Sequence, residues 1–401
     1  MEAAPSSIHR SRLAFATLGH FVNDCYSAFL APILPLLIAK FSLSLTAASS
    51  LAAIPSITSS VFQPLYGMAS DRLQGRFFIL LGPALSVVCM SLLGVAPNAA
   101  ILGFLLLCAG IGSAAFHPQA VAAAGAASGT RKGFGISVFI FGGSLGFAVG
   151  PLAIILAVHL WGLDHSYYII VPGLISVLLM LHYLQIPHKK VARSGLGSLR
   201  LAFQGAFKPM TALFGVAVLR EFTRLAVVTF LPIFFTMRGW SLLESGTTLT
   251  LFSLAGALGG MVGGSLSDTW SRKGIIVASG LLCVPLLYGV FHTQGWLSFV
   301  LLALAAATLS GSNSVVVAFA QELVPSRAGT ASSLVMGLGW GVAGVMLIAF
   351  GKLADVITVS RALDIAVMVP LLAVLLALTL PSDVAYDEVR SSGAPAVAGN
   401  R

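Results

Sequence analysis

Gly67–Arg76 reads GMASDRLQGR and lies between two long apolar runs. A second version, Gly264–Lys273, reads GSLSDTWSRK and begins 197 residues later (264 − 67), again between apolar runs. Each version opens on Gly, places an Asp four residues on (Asp71, Asp268) and closes on a cation nine residues on (Arg76, Lys273). The same offset carries Pro35 onto Pro232 and Asp24 onto Glu221, and an offset of 196 carries Gly133 onto Gly329. Self-similarity over about half the chain marks a duplicated structural unit.

Composition says what the unit is made of. Of 401 residues, 57% are hydrophobic and only 9% charged, with a mean hydropathy of +0.97. A soluble domain carries about 25% charged residues, so the expected class is an all-α, polytopic membrane protein. The net charge of +9 and pI ≈ 9.7 raise nucleic-acid binding, but the cations sit in short loops without a basic stripe, so no nucleic acid is expected. Cys25, Cys89, Cys108 and Cys283 lie inside apolar runs with no metal spacing, and read as buried thiols; no metal site is expected.

A membrane span needs about 20 apolar residues. Twelve such runs lie near 13–39, 45–68, 77–95, 98–127, 132–160 and 165–186, then 209–237, 243–267, 274–292, 295–323, 328–351 and 361–380. The expected organisation is a six-helix bundle over 1–187, a polar cytoplasmic linker over 188–208, a second six-helix bundle over 209–380, and a disordered cytoplasmic tail over 381–401. The first apolar run is too long for a cleaved leader and is read as a retained span. With the N-terminus inside, sixteen Lys and Arg fall on the inner side and four (Lys40, Arg238, Lys352, Arg361) on the outer. That bias puts both termini in the cytoplasm. Asp164, His165, Lys352, Asp355, Arg361 and Asp364 fall in outer loops and are expected to be mostly solvated.

Ionisable groups within spans are costly and mark function or pairing. His20, Asn23, Asp24 and Ser27 recur at i, i+3, i+4 and i+7 on one face of the first span. Arg220, Glu221 and Arg224 occupy the matching level of the seventh, and Gln63, Ser113, His117 and Gln119 add polar groups to the second and fourth. The candidate substrate- and proton-binding residues are therefore His20, Asn23, Asp24, Gln63, His117, Arg220, Glu221 and Arg224. A purely structural reading stays open, because two acids balance two arginines. On the functional reading, Asp24, Glu221 or His20 would titrate, and Arg220 and Arg224 together would grip a carboxylate, phosphate or phosphonate. Gly143, Gly146 and Gly150 in the fifth span would give a neighbouring helix a bare surface for close packing. Gly339–Gly344 spells GxGxxG, but lies inside an apolar run with no strand before it, so no dinucleotide site is read. No catalytic motif stands with its partners, and no enzyme is expected.

Two six-span halves, each with a GxxxD loop after its second span, resemble the major facilitator superfamily over nearly the whole chain. The resemblance implies two bundles related by a pseudo-two-fold axis, working by alternating access. It implies that Asp71, Arg72 and Arg76 latch the inner gate, with Asp268, Lys273 and Arg327 as their counterparts. Gln74 stands where the family has Gly, and Thr269 where it has Arg. Within the superfamily, GHFVNDCY (Gly19–Tyr26) and GIGSAAFHPQ (Gly110–Gln119) are similar to the fosmidomycin-resistance exporters. That implies export of a small drug or metabolite across the bacterial inner membrane by a monomer, driven by the proton gradient with no cofactor. Two alternatives stand beside it: a proton-linked importer of a small organic anion, and a membrane receptor or lipid-handling protein without solute turnover.

Overall fold

The structure, a computed structural model, describes residues 8–70, 77–129, 131–184 and 205–382. Asp71, Arg72 and Arg76, most of the 188–208 linker and nearly all of the 381–401 tail lie outside the described residues. Among the described residues all regular structure is helical. Ten helices among the described residues are long and apolar enough to cross a membrane by length and composition. Two further helices stand at the third and seventh expected spans. Phe77–Ser91 is shorter than the others, and Phe207–Met237 carries Arg220, Glu221 and Arg224. The chain clusters into two compact units, each taken by itself below.

The first unit contains α1 (Arg10–Ser27), α2 (Leu30–Phe41), α3 (Leu45–Ser70), α4 (Phe77–Ser91), α5 (Ala99–Ala127), α6 (Lys132–Trp161) and α7 (Ile170–Tyr183). Segments 228–254 and 347–356 join it from later in the chain. The first span breaks between Ser27 and Leu30. A proline ring clashes with the carbonyl four residues before it, and Pro32 places that clash at Ala28. Leu13, Ala16, Phe116, Phe139 and Met180 form a buried apolar core.

Helix α6 lies directly on α1 because its glycines leave nothing between the two backbones. A Cβ on Gly142 would sit 3.0 Å from the Thr17 carbonyl oxygen, one on Gly146 3.0 Å from the Cys25 nitrogen, and one on Gly150 2.9 Å from the Ala28 Cβ. The glycine run Gly143, Gly146 and Gly150 is thus a helix-packing seam.

The outer-loop groups Asp164, His165, Lys352, Asp355 and Arg361 are exposed, as expected, and two of them are also engaged by hydrogen bonds. Asp355 accepts hydrogen bonds from the backbone N–H of Leu45 (2.8 Å) and Thr46 (2.9 Å) and from the Thr46 hydroxyl (2.6 Å). It caps the exposed start of α3 from a distant part of the chain, satisfying donors that every helix N-terminus leaves open. Lys40 Nζ likewise donates to Asp164 (2.5 Å) and to the Gly94 carbonyl (2.7 Å).

The second unit contains most of α8 (Phe207–Met237) and α9 (Leu242–Thr269), then α10 (Arg272–His292), α11 (Trp296–Ser310), α12 (Asn313–Leu323), α13 (Ala328–Ser333), the start of α14 (Gly339–Ile357) and α15 (Val359–Leu378). Its core gathers Leu213, Val216, Phe319, Ala331 and Ala377. The tenth span is interrupted at Gly311–Ser312, where α11 ends and α12 begins. The break coincides with a backbone crossing, since a Cβ on Gly263 would collide with the Gly311 carbonyl.

Candidate functional site

Asp24 is 3% exposed, and a carboxylate so buried needs partners. His20, one turn before it on α1, brings Nε2 to 3.2 Å from Oδ2. His117 on α5 brings Nε2 to 3.5 Å from Oδ1. The Asn23 amide donates to Oδ1 at 3.0 Å and to the Ser113 hydroxyl at 3.4 Å, while its own oxygen accepts from Ser86 of α4 at 2.9 Å.

Both imidazoles are held the same way round. His20 Nδ1 donates to the Phe139 carbonyl (2.8 Å) and His117 Nδ1 donates to the Ser113 carbonyl (2.8 Å). A carbonyl oxygen only accepts, so each Nδ1 carries a hydrogen. A neutral ring then turns a bare Nε2 lone pair toward a carboxylate oxygen. The arrangement becomes a hydrogen bond only when a proton sits on Nε2 or on the carboxyl group. His20 is further fixed by stacking on Phe139 (ring centroids 4.2 Å) and by an edge contact with His117 (5.3 Å). The geometry is that of a buried carboxylate faced by two imidazole nitrogens. The ligand atoms lie within 4.8 Å of one another, a spread that also suits a metal ion.

Gln63 on α3 is half-buried and shares no hydrogen bond with this trio. Ser27, on the same stripe as Asp24, donates back to the Asn23 carbonyl at 2.7 Å and is spent on its own helix. The Gln119 side-chain oxygen is buried without a partner among the described residues.

In the second unit the three charges of α8 part company. Arg224 holds Glu221 through a two-pronged ion pair, Nε to Oε2 at 2.8 Å and Nη2 to Oε1 at 2.5 Å. Arg220 points elsewhere. It is 5% exposed, and its Nη2 donates to Asn313 Oδ1 (2.7 Å) and to the Leu309 carbonyl. The expected joint grip by Arg220 and Arg224 is not the arrangement seen, because Glu221 already occupies Arg224.

The second loop's charge cluster is centred on Arg272. That guanidinium reaches Asp268 (2.8 Å), Glu322 (3.0 Å) and the Ser267 hydroxyl (2.5 Å). Lys273 instead donates to the Leu378 and Leu380 carbonyls at 2.7 Å each, tying the end of α15. Arg327 is half-buried at the start of α13. Sequence reasoning missed Arg272 as the hub, although its i, i+4 spacing from Asp268 is a recognised pairing distance.

The described residues, all-helical in their regular structure with apolar spans and buried ionisable clusters, have the build of a polytopic membrane protein. The sequence pattern of the Major Facilitator Superfamily matches residues 16–348, and the chain belongs to that superfamily. It is 27% identical over 391 residues to the fosmidomycin resistance protein of Escherichia coli (strain K12), covering 93% of this chain and 94% of that protein. It is 27% identical over 381 residues, 91% of each chain, to the uncharacterized MFS-type transporter YfnC of Bacillus subtilis (strain 168). Among solved structures it is similar to a bacterial homolog of the human lysosomal transporter Spinster, in an inward-facing, unoccupied conformation. The TM-score is 0.73 at 15% identity, over 92% of this chain and 96% of that one. It is also similar to the nucleoside transporter NupG (TM-score 0.75, 12% identity, 91% of this chain and 98% of that one). At these identities the solved structures speak to the fold alone.

Proposed function

We propose that the chain is a secondary active transporter of the bacterial cytoplasmic membrane that exports a small drug or metabolite in exchange for protons. It works as a monomer by alternating access, with both termini in the cytoplasm and no cofactor. The observation that carries the proton assignment is the orientation of His20 and His117, each with Nδ1 committed to a carbonyl and Nε2 aimed at buried Asp24. A proton there completes one of two otherwise poor contacts. The 27% identity to the fosmidomycin resistance protein supports the outward direction and the drug-like cargo. Asp71, Arg72 and Arg76 would latch the inner side, with Asp268 and Arg272 as the second half's pair.

The test uses everted vesicles energised to an acidic lumen, with a pH-sensitive dye and fosmidomycin as the added solute. An exchanger moves solute inward and protons outward, so the lumen turns alkaline on addition. Asp24→Asn should abolish that response while leaving the protein in the membrane. Acidification on solute addition, or a full response in Asp24→Asn, would sink the reading.

A further inference from the structure

Arg220 is a buried cation with no ion-pair partner among the described residues. It makes no ion pair with any described carboxylate, since Glu221, its neighbour in sequence, is bound on both oxygens by Arg224. Its two hydrogen bonds both leave from Nη2 and both end on uncharged oxygens, Leu309 O and Asn313 Oδ1. Nε is sealed from solvent without a partner, and Nη1 makes no hydrogen bond among the described residues. Burying a charge without an opposite charge is among the costliest arrangements a protein can hold.

The place it occupies is the interruption of the tenth span. Leu309 lies in the last turn of α11, and Asn313 is the first residue of α12. Interrupted helices in transporters place half-helix ends, with their partial charges, at ligand sites. The carbonyl end of α11 gives Arg220 partial negative charge only. Arg220 in turn holds the Asn313 oxygen, which turns the Asn313 amide N–H groups away from the guanidinium as free donors. The N-terminus of α12, an eleven-residue helix, begins at the same residue and favours negative charge.

We infer that Arg220, with Asn313 and the start of α12, binds the oxyanion group of a solute: a carboxylate, phosphate or phosphonate. This rests on the reading of the chain as a solute transporter and narrows it to an anionic cargo. Arg224 takes no part, because Glu221 already fills its fork. The site uses none of the groups of the Asp24 trio, so anion binding is measured without a proton gradient.

The full chain in detergent is titrated with acetate, inorganic phosphate and methylphosphonate, with tetraethylammonium as the cationic comparison, and its thermal midpoint is read. At least one of the three anions should raise the midpoint. The half-saturating concentration should rise about tenfold or more in Arg220→Gln, the loss of one charge-assisted bond. Because Arg220→Gln risks misfolding, Asn313→Asp is the second arm. It places a carboxylate against the guanidinium, so it should raise the midpoint without any added anion and remove the response to all three. An equal anion response in wild type and Asn313→Asp would overturn the inference. So would stabilisation by tetraethylammonium alone, or by phosphatidylglycerol micelles and none of the three solutes. Failure of proton exchange in vesicles with these binding results intact would count against the exporter and leave the anion site standing.

Discussion

A Cβ built on Gly143 would lie 2.7 Å from Asp24 Oδ2 and closer still to His20 Nε2. The glycine on α6 is therefore what gives the carboxylate and imidazole on α1 the room to meet.

Gly143→Ala should push His20 and Asp24 apart. Overpacking of this kind costs about 1–3 kcal/mol, against a gain of about 1 kcal/mol in helix propensity. The expected result is a lower midpoint by thermal unfolding together with loss of proton exchange. Gly329→Ala is the matched comparison, because nothing lies within 4 Å of a Cβ there. That variant should unfold at or slightly above the wild-type temperature.

Asp355→Ala removes the cap from α3. Loss of a capping side chain costs roughly 0.5–2 kcal/mol. Amide exchange at Leu45 and Thr46 should quicken about tenfold, the equivalent of ~1.4 kcal/mol, while amides in the middle of α5 keep their protection. Exchange at Leu45 and Thr46 unchanged by the substitution would show that solvent serves those donors equally well.

Arg272 and Glu322 are both partly open to solvent, with side chains 19% and 35% exposed. Exposed pairs couple weakly, so a double-mutant cycle with Arg272→Gln and Glu322→Gln should give about 1 kcal/mol or less. The effect should shrink further in high salt. Lys273→Gln, by contrast, removes the two bonds to the end of α15, and should loosen Leu378 and Leu380 in proteolysis with no change in the Arg272 cycle.

The spans were legible because each is a run of apolar residues long enough to cross a bilayer, and such runs have few other folds. Pairing within one helix was equally open to reading: His20, Asn23 and Asp24 share a face by spacing alone. What lies across from that face was not. His117 precedes a proline in an apolar run, and nothing in its neighbours says that its ring turns toward Asp24. Arg220 and Arg224 sit four residues apart, yet their heads diverge. The cause is a carbonyl at the end of α11, exposed by an interruption that has no proline to announce it. Asp355 and Leu45 stand 310 residues apart, so no local pattern could join them. Lys273 was given the role of Arg272 because the repeat aligned it with Arg76. Repeat alignment transfers position along the chain, and helix geometry decides which side chain reaches the acid.

Asn23 divides its two polar side-chain atoms among three neighbours: Asp24 on its own helix, Ser86 on α4 and Ser113 on α5. A change in charge at Asp24 alters what the amide donates to, and the amide is the knot through which three rods are tied. Neutralising that one carboxylate would therefore tug on three helices at once.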